Sequence, residues 1–378
     1  MSTARRPTVL VAMSGGVDSS VAAALLAERG YDVIGATLKL WCYEEREPSP
    51  RACCSLEAIA DARSIAVRLG FAHYVLDYTE PFRAQVIDPF VRDYLAGTTP
   101  YPCAACNAEL KFGRLVEQAR AAGAAFLATG HYVRSREGAL YRAAHREKDQ
   151  SFALWQVARE TLPSLLFPLG ELSKEEVRRE AARLGLARVR DKEESQDLCF
   201  VGAGGYAAFV EQEAGAAARA LQPGPILDES GRTVGEHAGL ARYTVGQRRG
   251  LGRTIGRASG GRPLYVIALE AESNALRVGP AAALDKREIV TGPVHWQSAE
   301  PAPDDDPRVD VQIRYRGPTA PARLRPRDGR SWASGARVLL EKTLRAVTPG
   351  QSAVFYDGDR LLGGASIQAG QEEPSPSR

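Results

Sequence analysis

The chain has 378 residues, 44% of them hydrophobic and 25% charged. That length holds two or three domains with a large core. The composition excludes a disordered or fibrous protein, and no apolar run reaches the ~20 residues of a bilayer span. The net charge is only +3, yet 16 Arg and Lys against 10 Asp and Glu fall between positions 240 and 330, so this stretch is basic and suits a polyanionic partner.

The N-terminal Met-Ser-Thr-Ala-Arg-Arg-Pro has two arginines but no apolar segment behind them, so a secretory signal is not expected and a cytoplasmic location is. All six cysteines, Cys42, Cys53, Cys54, Cys103, Cys106 and Cys199, lie in the first 200 residues. In a cytosolic chain such clustering points to chemistry or metal rather than to structural disulfides.

Thr8–Met13 is a short apolar run that reads as a buried parallel strand. Ser14-Gly15-Gly16-Val17-Asp18-Ser19-Ser20 follows, and Val21–Arg29 reads as a helix closed by Gly30. A Gly-rich turn between strand and helix aims backbone N–H groups and the positive end of the helix dipole at one point, which is an anion site. Ser14, Ser19 and Ser20 add hydroxyls. Asp18 is unusual in a phosphate cradle, and a carboxylate there makes sense if it holds Mg²⁺ bridging phosphates. The common P-loop needs a Gly-Lys-Ser/Thr ending, and no lysine follows here.

Further on, strands are expected at 32–38, 73–77 and 125–129, with helices at 56–69, 82–95 and 109–122. Repeated βα units argue a doubly wound parallel sheet, in which ligands sit at the carboxyl ends of the strands. The Ser14–Ser20 loop, the strand end at Leu38 and Thr129-Gly130-His131 then share one edge. His131 is read either as a contact to phosphate or substrate or as a strand-end histidine with a structural hydrogen bond. The loop before the helix at 109 contains Tyr101, Pro102, Cys103 and Cys106. Cys106 is expected near that helix's N-terminus, a position that favours the thiolate, with Lys111 close by.

Lys148-Asp149-Gln150-Ser151 is expected to follow a hairpin and open a helix. Ser173 and Glu176 form a capping box for a helix over 175–184, which reads as plain and solvated. Cys199, between Leu198 and Phe200, would on its own read as a small buried hydrophobe. After about residue 212 the pattern changes. Pro223–Val234 reads as a β-hairpin, Tyr243–Gly252 opens a Gly/Arg-rich stretch with Arg248, Arg249, Arg253, Arg257 and Arg262, and short alternating runs from Leu264 suggest a small barrel or sandwich. The arginines suit phosphate-backbone contacts or else form a solvated loop. Residues 295–307 read as a linker or exposed loop, and the last residues as a disordered tail.

The Ser14–Ser20 loop resembles that of the N-type ATP pyrophosphatases, which cleave ATP between the α- and β-phosphates. Taken with Pro100-Tyr-Pro-Cys-Ala-Ala-Cys-Asn107 and Ser195-Gln-Asp-Leu-Cys-Phe200, in that order, it makes the chain resemble the tRNA-specific 2-thiouridylase family over nearly its whole length. The resemblance implies a catalytic domain over 1–212 with adenine-nucleotide alpha-hydrolase-like architecture. A small mixed central domain over 213–282 that binds tRNA would follow, then a C-terminal β-barrel over 283–370 and a tail over 371–378. It implies replacement of the 2-oxygen of the wobble uridine by sulfur, through adenylation of that oxygen. Ala12, Met13, Ser14, Gly15, Gly16, Val17, Asp18, Ser19, Leu38 and Gly130 match the ATP-contacting positions, with Asp18 toward Mg²⁺. Cys199 matches the persulfide-bearing cysteine, and Cys106 the cysteine that cleaves the persulfide. Tyr101, Pro102 and Cys103 match the segment beside the target base. Lys148, Asp149, Gln150, Arg314 and Tyr315 match segments that contact tRNA.

The implied partners are the tRNA anticodon stem-loop and a persulfide donor protein such as a cysteine desulfurase or sulfur relay, with the chain acting as a monomer and no membrane. Some relatives carry aspartate at the position of Cys103. Here Cys103, Cys106 and Cys199 make three thiolates, enough to hold a [4Fe-4S] cluster with one open iron. Cys42, Cys53 and Cys54 fit no strong zinc spacing. The competing readings are an amide-forming or tRNA lysidine synthetase of the same ATP-cleaving class, which needs no cysteine pair, and a non-catalytic tRNA-binding or sulfur-carrier module.

Overall fold

Thr8–Ala12 forms strand β1, whose central residues are buried as expected for the middle of a parallel sheet. The computed structural model describes residues 6–40, 56–186, 198–202, 204–215, 217–251 and 262–370. The chain separates into two compact units. Unit one takes Met1–Ile87, Pro102–Ala203 and Gly358–Leu362, and unit two takes Asp88–Tyr101, Gly204–Asp357 and Gly363–Arg378.

Unit one is a doubly wound α/β layer structure. Helix α1 (Val17–Glu28), strand β2 (Asp32–Lys39), helix α2 (Leu56–Leu69) and strand β3 (Ala72–Asp77) follow β1, and strand β4 (Phe126–Thr129) comes later. The hairpin of β5 (Val133–Arg136) and β6 (Ala139–Arg142) precedes a two-residue strand β7 (Leu165–Leu166). The sheet runs β3-β2-β1-β4-β7 with every pairing parallel. Strand order therefore reverses between β1 and β4, whose last residues Ala12 and Thr129 lie side by side in register. In open α/β sheets such a switch point opens a crevice at the carboxyl ends of the two strands. The core below it joins Val9, Val11, Met13, Val21, Leu26, Ala128 and Tyr132 to Val177 and Ala181 of the helix Lys174–Arg183.

Several elements depart from the sequence reading for physical reasons. Helix α1 starts at Val17, so Asp18, Ser19 and Ser20 belong to its first turn rather than to the loop. The helix expected over 82–95 is broken. Thr79–Phe82 is α-helical, Arg83–Ile87 forms wider π turns, and Asp88–Leu95 resumes as α-helix in unit two. Pro89 has no N–H to donate, which is consistent with loss of the regular bonding there. The helix expected over 109–122 begins seven residues earlier. Pro102–Ala105 is α-helical, Cys106–Arg114 forms π turns, and Leu115–Ala121 returns to α. Gly113 admits the wide turn, since a Cβ there would lie 2.9 Å from the Ala108 carbonyl oxygen. No α-helix opens at Lys148. Arg146–Lys148 and Ser151–Ala153 are single 3₁₀ turns.

Unit two is antiparallel apart from one pairing. Helices Asp88–Leu95 and Gly205–Ala214 pack through Phe90 on Phe209 and through Tyr94 stacked on Tyr206, ring centroids 4.8 Å apart. A four-stranded sheet orders Tyr265–Glu270, Ala275–Gly279, Gly224–Leu227 and Thr233–His237. The last two form the expected hairpin, with Gly231 at positive φ in its turn. Strands Asp285–Val290, Ala336–Arg345, Thr319–Pro326, Arg308–Gln312 and Ser352–Asp357 pair antiparallel in that order around fully buried Trp332, Phe355 and Tyr356. The stretch expected as linker carries a short strand, His295–Trp296, and its Pro301 carbonyl accepts the Trp332 indole N–H. No helix among the described residues is long and apolar enough to cross a membrane. Arg253, Arg257 and the tail lie outside the described residues.

Asp149 anchors the turns beyond the β5–β6 hairpin. Buried, it accepts the backbone N–H of Ala143 at 2.9 Å, the Ser151 hydroxyl at 2.9 Å and the Arg142 guanidinium at 3.2 Å. Asp149→Ala removes the carboxylate facing a buried guanidinium. It is expected to lower the unfolding free energy by about 3–5 kcal/mol, read by urea denaturation.

Candidate nucleotide site and thiol pair

Gly15 and Gly16 shape the turn at the mouth of the crevice. Gly15 has φ +70°, and a Cβ on it would lie 2.1 Å from the Ala58 carbonyl oxygen, so only glycine fits. Gly16 caps α1 without a side-chain bond, which leaves the first N–H groups of a twelve-residue helix without intrahelical acceptors. The serines divide their tasks. The Ser19 hydroxyl accepts the Ser14 N–H at 3.1 Å and faces the Ser14 hydroxyl at 3.3 Å. Ser20, fully buried, donates its hydroxyl to the Gly16 carbonyl at 2.7 Å and is a brace for the turn rather than part of its open face.

Gly130 closes the other side. A Cβ there would lie 2.7 Å from the Ser19 nitrogen and 2.8 Å from the Asp18 carbonyl carbon, so β4 ends directly against the first turn of α1. The Met13 N–H bonds the Ala36 carbonyl and the Met13 carbonyl accepts the Thr37 hydroxyl, both at 2.7 Å, which ties the loop to β2. Leu38, the penultimate residue of β2, is buried. Ala12, Met13, Ser14, Gly15, Gly16, Val17, Asp18, Ser19 and Gly130 therefore gather at one place, with β2 alongside.

Asp18 is held from two directions that sequence spacing does not foretell. The Tyr132 hydroxyl donates to its Oδ1 at 2.7 Å, and the Lys174 ammonium reaches Oδ1 at 2.8 Å and Oδ2 at 3.0 Å. The helix read as plain and solvated thus places its first residue, buried, on the loop. Its capping box is complete: the Ser173 hydroxyl accepts the Glu176 N–H, and the Glu176 carboxylate accepts the Ser173 N–H. Gln150 steadies Tyr132 by accepting its backbone N–H at 2.9 Å and donating its own to the Tyr132 carbonyl at 3.0 Å. Asp18 as a single carboxylate fits Mg²⁺, which usually takes one or two carboxylates and completes its shell with phosphates and water.

His131 sits at the end of β4 with its ring against Phe112 and Phe167, centroids 5.8 and 6.5 Å away. The Thr129 hydroxyl accepts the His131 backbone N–H at 3.3 Å and shares a hydrogen bond with the ring Nδ1, 2.7 Å away. Burial, with a smaller contribution from the Lys111 ammonium, pushes the imidazole pKa down to about 3.

Cys103, Cys106 and Cys199 are thiols, none in a disulfide, and Cys106 is buried. Cys106 lies one turn inside the helical stretch, at the start of the π segment, so the helix-end position expected for it is not observed. Phe200, next to Cys199, meets Phe82 edge-on at 5.7 Å, and the helix Thr79–Phe82 packs on Cys106–Arg114. Asn107 donates to the Ala153 carbonyl at 3.0 Å, joining the Cys106 turn to the turns after Gln150. Among the described residues no three His, Cys, Asp or Glu side chains gather to hold a metal. The three thiols are thus not gathered here into the ligand set expected for an iron–sulfur cluster. Cys42, Cys53, Cys54 and residues 187–197 lie outside the described residues.

Lys148 stands on the 3₁₀ turn before Asp149. Pro102 begins the thiol-bearing helix and is buried. Tyr101, Arg314 and Tyr315 belong to unit two. There Gln351 donates to the Thr99 and Pro100 carbonyls, fixing the segment before Tyr101. Arg314 donates to the Ala346 carbonyl at 2.8 Å, and Tyr315 carries the Arg316 guanidinium over its ring at 5.2 Å. Lys174 and Tyr132 are the site residues missed from sequence. The capping box marks the helix start but nothing local marks the lysine's target.

Gly130→Ala is expected to push the first turn of α1 outward at a stability cost of about 1–3 kcal/mol, measured by urea unfolding. His131 supplies a pH test. Its folded pKa lies below its unfolded value near 6.5, so below pH 6.5 the unfolded chain takes up a proton that the folded chain refuses. Stability from this group is complete above pH 6.5 and declines as pH falls toward about 3. His131→Gln should therefore flatten the slope of unfolding free energy between pH 6.5 and 4.5.

Comparison with known proteins agrees along the whole length. Residues 7–203 match a family model described as a tRNA methyl transferase HUP domain, residues 209–280 a tRNA methyl transferase PRC-barrel domain, and residues 286–367 an aminomethyltransferase beta-barrel domain. The chain is 45% identical over 367 residues to a tRNA-specific 2-thiouridylase of Magnetococcus marinus, covering 95% of this chain and 98% of that one. It is 46% identical over 375 residues to one of Rhodospirillum centenum, covering 97% and 93%. A nucleotide loop at the switch point of a parallel sheet, two thiol-bearing segments in the same unit and this full-length similarity lead to one conclusion: the chain belongs to the tRNA-specific 2-thiouridylase family.

Proposed function

We propose that the protein replaces the 2-oxygen of the wobble uridine of tRNA with sulfur, using ATP and a persulfide donor and releasing AMP and pyrophosphate. The observation that carries this reading is the pairing, within unit one, of an ATP-type loop at the β1/β4 switch point with Cys106 and Cys199. A carbonyl oxygen on a pyrimidine ring leaves poorly. Attack of the uridine 2-oxygen on the α-phosphorus of ATP expels pyrophosphate and turns that oxygen into the leaving group of AMP. The N–H groups at the start of α1, with Gly15 and Gly16 permitting close approach, suit the phosphates. Mg²⁺ at Asp18 would neutralise phosphate charge when bound.

The sulfur step divides between the two thiols. Cys199 receives a sulfane sulfur from the donor protein as a persulfide. Its terminal sulfur bonds to C2, and the Cys106 thiolate then attacks Sγ of Cys199, breaking the sulfur–sulfur bond. The electron pair released stays on the sulfur at C2, AMP departs, and a Cys106–Cys199 disulfide remains for a reductant to reopen. Release of hydrogen sulfide from the persulfide by the same Cys106 attack, followed by its addition to C2, gives the same products. Tyr101, Pro102 and Cys103 would lie beside the flipped base, and Lys148, Asp149, Gln150, Arg314 and Tyr315 along the anticodon stem-loop. Asp149 and Gln150 would act there by shaping the turn, since their side chains are engaged with Arg142, Ser151 and Tyr132. The reading places the protein in the cytoplasm with its tRNA. The methyl transferase description of the family models gains no support from the site, where an ATP-type loop has no use in methyl transfer.

The test is mass spectrometry of nucleosides from tRNA incubated with protein, ATP, Mg²⁺ and a persulfide donor. Wild type is expected to form 2-thiouridine. Cys199→Ser and Cys106→Ser are each expected to reduce it by at least about 10³-fold, the scale of losing a covalent nucleophile. Formation of AMP with an amine acceptor and no thiolation would instead favour a synthetase.

A further inference from the structure

The Ser14–Ser20 segment offers phosphates backbone N–H groups but no cationic side chain, and its one carboxylate, Asp18, opposes a polyphosphate. The Lys174 ammonium sits on that carboxylate, touching both oxygens at 2.8 and 3.0 Å. The lysine side chain is 5% exposed and that of Asp18 is 32% exposed. The ammonium is therefore buried, while part of the carboxylate remains accessible. The Tyr132 hydroxyl fixes the same Oδ1 at 2.7 Å.

Helix stability does not explain a lysine at this position. It is the first residue of the helix Lys174–Arg183, next to the positive end of the dipole, where a cation is unfavourable. A buried cation also needs a compensating charge. The capping box locks the backbone of this turn, so the side chain is delivered to one place. A residue that breaks the local rule and is held rigidly on a loop carboxylate is expected at a functional site.

We infer that Lys174 is a positioning residue that supplies the cation of the nucleotide cradle from outside the loop. It cancels the charge of Asp18, holds the carboxylate at the mouth of the crevice, and provides an ammonium for phosphate oxygens when Mg²⁺ draws on the carboxylate. The inference rests on the reading of this loop as an ATP site and deepens it. The donor takes the part that the loop lysine plays in P-loops, but arrives 156 residues after Asp18 in sequence.

Calorimetric titration of the full-length protein with ATP, with Mg²⁺ and separately with EDTA, tests this without turnover. Lys174→Gln keeps a polar side chain and removes the charge. It is expected to weaken ATP binding about tenfold or more, the scale of a lost charged hydrogen bond, with the larger loss in EDTA. Affinity for tRNA alone should stay within about twofold, and Lys174→Arg should recover most of the ATP affinity. The double variant Asp18→Asn with Lys174→Gln leaves neither member of the pair charged, and serves as the second test should the single variant fail to fold. It is expected to bind ATP weakly and without dependence on Mg²⁺. Wild-type ATP affinity in folded Lys174→Gln, or in the double variant, overturns the inference. Absence of ATP binding by wild type is a different result and overturns the reading of the loop itself.

Discussion

Asp18 is the point on which the nucleotide crevice depends. Its backbone begins α1 against Gly130 at the end of β4, and its carboxylate joins Tyr132 and Lys174. Three separated stretches of chain, at positions 18, 130–132 and 174, thereby meet at one side chain. The physical reason is electrostatic. A carboxylate beside a helix N-terminus is favourable on its own, but a phosphate site cannot keep an uncompensated negative charge. The lysine and the tyrosine hydroxyl balance it, and their burial fixes where it points.

The same constraint links the nucleotide loop to the rest of unit one. Tyr132 is gripped by Gln150 through backbone and side chain, and the turns around Gln150 are set by buried Asp149. Asn107 then ties those turns to the π segment that carries Cys106. From Asp18 to Cys106 the path runs through bonded neighbours, so the adenylating and sulfur-handling parts of the proposed reaction share one scaffold. The wide helical turns that begin at Cys106 interrupt regular i to i−4 bonding at the thiol.

Cys199 is carried differently. Its neighbour Phe200 is seated on Phe82, and that helix in turn lies on the segment Cys106–Arg114. An aromatic anchor one residue away places a thiol without enclosing it, and Cys199 is only partly buried. This suits the proposed transfer of sulfur to Cys199 from another protein.

Much of this was legible in the amino-acid order. Apolar runs and glycines marked β1, β2 and β4 because a strand buried on both faces leaves a short continuous signal, and Ser14-Gly15-Gly16 stood out because only glycine tolerates that turn. The cysteine motifs and the capping box at Ser173 were local and readable. Boundaries were less so. The helix at Cys106 started early because π turns have no composition of their own, and residues 88–101 joined unit two through aromatic packing that no local pattern announces. The partners of Asp18 were beyond the sequence altogether. A helical residue is chosen locally by propensity, but the target of a side chain depends on which helices pack together, and α1 meets Lys174–Arg183 only after the sheet has brought them there. Sequence alone determined what chemistry was present. Tertiary structure decided which lysine serves the loop, because charge compensation acts through space and keeps no fixed spacing along the chain.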